Sequence, residues 1–473
     1  MSGGKVITET GEHNDGKTIL LSEWIDNAGF GWYQSFVVLL CFLVTMFDGF
    51  DTQAIAFTGP AIAATYGVDS TGITPIVTAG VAGMALGALL FGPLGDRYGR
   101  RYAVIWATVV FAGFSLATAW ANSINELILF RFLTGIGMGG ATPNVLALAS
   151  EFSPDKKRGI VMLLATLGLP VGAIVGAQIA SVLLADGCCT AYSGVLVGWL
   201  PANFLEQSRR VIFVIGGVGP LLFAMVLWLL LPESPHFLAR EGKHDRVRRQ
   251  LLRLKGGAEL AADSLFHLPE VVQGLGIRSL FSSGLRRNTF AIWGVYFFNW
   301  VAWFAIILWL PSALVAAGLP EADAANGTKI INGAALLFVV PLAWYIPRLP
   351  VRGVIIALLI AGVGGMGVLA GAGQQWTLVY IMIGLTGLFV GGPQICLNYL
   401  AVIIYPTAVR ATGIGWAIGL GRIGTILGAA AGGPLLDQYG VRGFFLAMAV
   451  PLLLSAMAAM MVKPMNSARA GQV

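Results

Sequence analysis

Twelve apolar runs, each about the length of a membrane crossing, succeed one another along this chain of 473 residues. They lie near 32–59, 72–95, 102–125, 127–150, 159–185, 211–231, 289–317, 330–347, 353–373, 376–405, 409–436 and 441–462, the eighth being short. A spanning helix needs about 20 predominantly apolar residues. Backbone polar groups in hydrocarbon must be satisfied internally, so the runs are read as helices. Charged residues make up 11% of the chain and mean hydropathy is +0.79; soluble domains typically carry about 25% charge. The expected class is an all-α integral membrane protein of twelve transmembrane helices in two pseudo-symmetric halves of six.

Orientation follows from Lys and Arg, which collect in short cytoplasmic loops. With both termini cytoplasmic, 23 of the 29 basic residues fall inside. Arg209, Arg210, Lys329 and Arg442 fall outside, and Arg131 and Arg422 stay within helices. The expected segments are a cytoplasmic tail (1–29), a first half (30–231), a cytoplasmic linker (232–288), a second half (289–463) and a cytoplasmic tail (464–473). No cleavable signal peptide is visible in the polar residues 1–29, so the first helix serves as the insertion signal. The net charge of +6 then describes a membrane surface, with the lipid bilayer as partner and no nucleic-acid site.

Within the first run stand Asp48 and Asp51 in Phe47-Asp48-Gly49-Phe50-Asp51. Ionisable groups at membrane depth are functional candidates by default. A spacing of three puts both carboxylates on one helix face, which makes at least one a candidate proton carrier; the plainer alternative is that they cap a loop or are neutralised by a neighbouring helix. His13, His236, His244 and His267 all fall in the N-terminal tail or the linker, so intramembrane proton traffic must use carboxylates. No CxxC or Cys/His cluster points to a metal, and no Gly-rich loop ending in Gly-Lys-Ser/Thr points to a nucleotide; no cofactor is expected. Cys188-Cys189, in a predicted external loop, could be a strained vicinal disulfide or free thiols.

The second run ends in Gly92-Pro93-Leu94-Gly95-Asp96-Arg97-Tyr98-Gly99-Arg100-Arg101. This could be a positive-inside anchor alone, but its spacing resembles the loop signature of the major facilitator superfamily. Arg131 with Gly135, Gly137 and Gly139 resembles that superfamily's fourth-helix element, and Gly168, Pro170, Gly172 and Gly176 its fifth. The second half repeats the first at a constant offset: Gly135, Gly139 and Gly140 map to Gly387, Gly391 and Gly392, Pro154 and Arg158 to Pro406 and Arg410, and Gly172 and Gly176 to Gly424 and Gly428. Parallel repeats of this kind rock about a central site.

The linker opens with Pro232-Glu233-Ser234-Pro235 and holds ten Lys and Arg against six Asp and Glu. It reads as a solvated connector with an amphipathic helix around Arg246 to Leu254 near anionic headgroups. The seventh helix is rich in rings, among them Trp300, Trp303 and Phe304, which suit belt, packing or a flat ligand. Gln394 and Asn398 on the tenth helix need hydrogen-bond partners. Arg422 lies about 13 residues into helix eleven, where a guanidinium costs roughly 3 kcal/mol or more unless it meets water or an anion. It could bind a ligand carboxylate or pair with Asp48 or Asp51. Arg410, at a helix start, could anchor the helix or pair across a gate.

Asp-Gly-Phe-Asp, the loop signature, Pro-Glu-Ser-Pro, Tyr405-Pro406-Thr407 with Arg410-Ala411-Thr412-Gly413, and Gly421-Arg422-Ile423-Gly424 together resemble the aromatic acid:proton symporters of that superfamily. The resemblance implies the major facilitator fold in the inner membrane of a bacterium, and a monomer importing benzoate-like or hydroxybenzoate-like anions with protons. It implies that Asp48 and Asp51 are essential acids and that Arg410 and Arg422 are functional arginines; Arg131, the other charge within the first-half helices, is expected to join the two acids in proton coupling. Arg422, Gln394, Asn398, Trp300, Trp303 and Phe304 form the expected substrate site. Gly92, Asp96, Arg100, Arg101, Glu151, Arg158 and Arg410 form the expected gate. Rival readings are a carrier of a sugar, dicarboxylate or osmolyte on the same fold, or a membrane sensor; no enzyme is expected.

Overall fold

A computed structural model describes residues 18–185, 208–254, 265–267, 277–282 and 284–463. Its long helices are α1 (Trp32–Tyr66), α2 (Ser70–Tyr98), α3 (Arg100–Ala119), α4 (Ile124–Glu151), α5 (Asp155–Leu183), α6 (Ser208–Leu230), α7 (Arg286–Ala316), α8 (Glu321–Tyr345), α9 (Val351–Gly371) and α10 (Trp376–Ile404). The last helical stretch, Thr407–Met461, breaks at Gly440, where φ is 64°. Only glycine enters that conformation without strain, so the chain turns there and yields α11 (407–439) and α12 (441–461). Twelve crossings result, as expected. Cys188-Cys189 lies outside the described residues.

Internal duplication is legible in the packing. A Cβ on Gly135 of α4 would fall 2.1 Å from the Gly80 carbonyl oxygen of α2, and one on Gly387 of α10 would fall 2.5 Å from the Ile331 carbonyl of α8. Likewise Gly172 of α5 abuts Met46 of α1, and Gly424 of α11 abuts Phe297 of α7. Small residues let the backbones touch, which is how helices associate in lipid. Pro154 and Pro406 cap the following helices with nearly the same dihedrals, −56°/145° and −54°/151°.

The halves meet at the end of the bundle opposite the start of α1 and the end of α12. There Asp437 of α11 accepts hydrogen bonds from Ser70 and Thr71 of α2, and Lys329 of α8 donates to Gln178 and Ser181 of α5. At the other end the polar contacts described for the cluster around Arg100 stay in the first half and the linker, while Arg352 bonds the Met460 carbonyl within the second. The molecule is therefore closed at the Ser70 end.

Two expectations need correction. The eighth helix begins at Glu321, nine residues before its apolar run, because Glu321 and Asp323 occupy its first turn, where acids are favoured by the helix dipole. The linker helix, His244–Leu251, does not turn its apolar side to lipid: Val247 and Leu251 are buried in one cluster with Val104, Leu148 and Phe152 from the ends of α3 and α4. Leu265–His267 pairs in parallel with Thr18–Leu20, tying the residues before α1 to the linker.

Candidate functional site

Asp48 and Asp51 are both buried, at 1% and 0% exposure, yet they take different partners. Arg131 Nη1 donates to Asp51 Oδ2 at 2.7 Å, and its Nη2 donates to the Asp51 carbonyl at 3.1 Å. Ser115 Oγ donates to Asp51 Oδ1. Gly216 of α6 leaves the room: a Cβ there would lie 3.2 Å from Ser115 Oγ and 3.4 Å from Asp51 Oδ1. Arg131 is 2% exposed, and its guanidinium also faces the Phe213 ring at 5.6 Å. A buried pair stands only when its remaining hydrogen-bonding positions are filled, and here Ser115 and a carbonyl fill most of them.

Asp48 has no cation within ion-pair distance among the described residues. Thr52 Oγ1 donates to its Oδ1 at 3.1 Å and Thr142 Oγ1 to its Oδ2 at 2.7 Å. Arg422, in the second half, is the cation whose field reaches Asp48. Of the two acids, Asp51 is locked to a cation and Asp48 is held by hydroxyls.

Arg422 is half-buried, and its guanidinium stacks on the Trp300 ring at 5.6 Å. Such a contact is worth about 0.5–2 kcal/mol. Among the described residues no ion pair engages Arg422, so neither Asp48 nor Asp51 is its salt-bridge partner. Trp300 fits because residue 421 is glycine: a Cβ there would come within 2.9 Å of the indole. Trp300 Nε1 donates to Gln394 Oε1, Gln394 Nε2 reaches Asn398 Oδ1 at 3.5 Å, and Tyr296 donates to that same Oδ1. Phe304 lies 6.2 Å from Trp300, and Trp303 lies against Gly391. Arg422, Trp300, Gln394, Asn398 and Phe304 are thus linked contact by contact; Trp303, also on α7, borders them where it packs against Gly391 of α10.

Of the expected gate residues, three converge. Arg100 Nη2 pairs with Asp96 at 2.5 Å, Arg100 Nε approaches Glu151 at 3.6 Å, and Arg100 Nη1 donates to Asn144 at 3.2 Å. Arg101 joins through its backbone N–H, which donates to Glu233 at 3.0 Å. Gly92 has open space around it. Arg158 pairs locally with Asp155 at 2.5 Å, and Arg410 Nε donates to the Tyr405 carbonyl at 3.2 Å; these two stand apart from the cluster.

The residues that sequence reasoning missed are Thr52, Thr142, Ser115, Asn144, Glu233 and Ser234. The first four are single polar side chains in Gly- and Ala-rich helices and carry no pattern. Glu233 and Ser234 had a signal in Pro-Glu-Ser-Pro. Ser234 donates to Glu151, and Glu233 sits over Gly99, whose φ is 105° and whose Cβ, if present, would fall 2.2 Å from Glu233 Oε2. Burial pushes the Glu233 carboxyl above its ordinary value, opposed by the N–H groups of Arg101 and Ser234. Burial and the charge of Arg158 push the His236 imidazole down.

Comparison with known proteins places this geometry. Residues 41–348 match the Major Facilitator Superfamily. The chain is 34% identical to the 4-hydroxybenzoate transporter PcaK of Pseudomonas putida, over 90% of this chain and 91% of that protein. It is 32% identical to a gallate transporter of Pseudomonas putida, over 93% of this chain and 94% of that protein. Among solved structures, an inward-facing, unoccupied bacterial homolog of the human lysosomal transporter Spinster superposes with a TM-score of 0.68 at 18% identity, covering 92% of this chain and 98% of that one. A D-xylose–proton symporter gives 0.66 at 17%, covering 92% and 98%. These structures share the fold. By the matched region and the extent of its relatives, this multi-pass membrane protein belongs to the major facilitator superfamily.

Proposed function

We propose that the protein is a secondary active transporter that imports a small aromatic carboxylate, of the benzoate or hydroxybenzoate type, by proton symport. The reading rests on one observation above others: the Arg422 guanidinium stacks on an indole and has no ion-pair partner among the described residues. A carboxylate can accept two parallel hydrogen bonds from a guanidinium, and Trp300, Trp303 and Phe304 offer ring faces beside it. Gln394 and Asn398 supply the amides that orient the bound anion. The relatives named for 4-hydroxybenzoate and gallate support the substrate class.

Coupling works through Asp48, with Asp51 and Arg131 as its buried support. When Asp48 is charged, it competes with the substrate carboxylate for the field of Arg422. Protonation of Asp48 removes that competition and leaves Arg422 to the substrate. The halves then rock, with Gly92, Asp96, Arg100, Arg101, Glu151, Arg158 and Arg410 making and breaking contacts at the gate. Each chain holds a whole site, so it acts as a monomer. It lies in the bacterial inner membrane with both termini and the 232–288 linker in the cytoplasm.

Uptake of a radiolabelled panel of aromatic acids, sugars and dicarboxylates into cells, with and without an uncoupler, tests the reading. Aromatic acids should accumulate and the uncoupler should abolish accumulation. Accumulation of a sugar or an aliphatic dicarboxylate in their place would overturn the substrate class, and accumulation insensitive to the uncoupler would overturn the coupling.

A further inference from the structure

We propose that Asp437 is a gating residue for transport: it locks the halves together at the end opposite the start of α1 by capping the first turn of α2, and it must let go each time that end opens. The first N–H groups of a helix have no partner within it. In α2, Asp69 satisfies Gly72 N at 2.8 Å from within its own half. Ser70 N and Thr71 N are satisfied from the other half: Ser70 N donates to Asp437 Oδ1 at 3.3 Å, and Thr71 N and Thr71 Oγ1 donate to Asp437 Oδ2 at 2.5 and 2.7 Å. A carboxylate at a helix N-terminus is further favoured by the dipole. One carboxylate therefore closes three donors of α2 from α11.

Packing around it supports a seated closure. A Cβ on Gly433 would lie 2.1 Å from Thr74 Oγ1 and 2.5 Å from the Ser70 carbonyl, so α11 rests directly on α2 one turn from the carboxylate. Asp437 itself is exposed, and water can take over its hydrogen bonds when the halves part. The contact is reversible for that reason.

Sequence places the same device at both ends of this helix pair. Gly433-Pro434-Leu435-Leu436-Asp437-Gln438-Tyr439-Gly440-Val441-Arg442 repeats the pattern of Gly92-Pro93-Leu94-Gly95-Asp96-Arg97-Tyr98-Gly99-Arg100-Arg101 at Gly, Pro, Leu, Asp, Tyr, Gly and the final Arg. In both copies the Gly after Tyr has positive φ, 105° at Gly99 and 64° at Gly440. Their aspartates differ in partner: Asp96 pairs with Arg100 in its own half, while Asp437 reaches across. The copy at the closed end is the engaged one.

The test needs neither a substrate nor an orientation in the membrane, so its failure is separate from failure of the function proposed above. Thr74→Cys, 9% exposed under Gly433, is placed in a background with Cys41, Cys188, Cys189 and Cys396 replaced by Ala, and its maleimide labelling rate is measured on purified protein in detergent. Asp437→Ala should raise the rate about three- to tenfold by moving molecules to the state open at this end. Asp437→Asn, which keeps one acceptor oxygen but neither the second nor the charge, should raise it less. Thr71→Val, which removes one donor and little else, should also raise it. Unchanged rates in Asp437→Ala and Thr71→Val would overturn the proposal. If Asp437→Ala fails to insert, Thr71→Val decides alone, and an unchanged rate there overturns it.

Discussion

At the residue scale, two acids three positions apart do different work because their surroundings differ. Asp51 is bonded to Arg131, Ser115 and, through its carbonyl, Arg131 again. Asp51→Asn leaves a guanidinium buried without a counter-charge, a change that typically costs about 3–5 kcal/mol; purified Asp51→Asn should melt well below the parent. Thr52 and Thr142 bond different oxygens of Asp48, so Asp48→Asn keeps the acceptor of one hydroxyl and lets the other turn to accept from the new amide; it strands no buried cation and should melt nearer the parent than Asp51→Asn while losing proton-driven accumulation. Equal melting of the two variants would sink the division of labour. For Arg422, lysine keeps charge but not the planar fork, so Arg422→Lys should bind benzoate-type anions about tenfold more weakly and Arg422→Ala should lose them, read by direct binding to purified protein. If Arg422→Ala binds as the parent does, Arg422 is not the anchor. Asp48, Asp51, Arg131 and Arg422 were legible because charge at membrane depth is costly and rare. Their partners were not: Arg131 is 80 positions from Asp51, and a lone threonine in a helix of glycine and alanine gives no sign of which carboxylate it holds.

At the scale of elements, the linker shows where pattern reading stops. Val247 and Leu251 mark an amphipathic helix, but periodicity states only that one side is apolar and not whether lipid or protein covers it. Protein covers it here, with Phe266, Leu238 and Leu254 in the same cluster. The docking has a pH signature. Glu233 is raised in the folded state by burial, so its contribution is fully present below the ordinary value of 4.5 and is lost as pH rises through the folded value. His236 is depressed, so its contribution is present above 6.5 and is lost as pH falls. Glu233→Gln keeps an acceptor for the N–H groups of Arg101 and Ser234, both of which bond one oxygen. Subtracting its melting temperatures from those of the parent should therefore give a difference that grows more unfavourable to the parent as pH rises from about 4.5; a flat difference would mean that Glu233 is not held at a raised value. Gly99→Ala meets both a positive φ and the Glu233 carboxylate, and it should destabilise by about 1–3 kcal/mol, measured by the same melts.

For the whole molecule, helix count and orientation are one question, and Gly440 decides it. A single helix over Thr407–Met461, 55 residues, would be about 80 Å long at about 1.5 Å per residue, far beyond the roughly 30 Å of a hydrocarbon core. It would also leave eleven crossings and put the termini on opposite sides. The break at Gly440 restores an even number and returns the end of α12 to the side on which α1 begins, in agreement with a distribution of Lys and Arg that favours that side as cytoplasmic. The apolar pattern anticipates this break because Asp437 to Gly440 interrupts it. Ser234, placed in a loop, looks like a convenient labelling position on sequence grounds, but it is fully buried and would stay silent on either side of the membrane. Lys243 in the linker and Gln375 between α9 and α10 are exposed and belong to opposite ends of the bundle. In the same cysteine-replaced background, Gln375→Cys should react with an impermeant maleimide in intact cells and Lys243→Cys only in inside-out vesicles. The reverse labelling would turn the whole bundle over, and labelling of both from one side would remove a crossing between them.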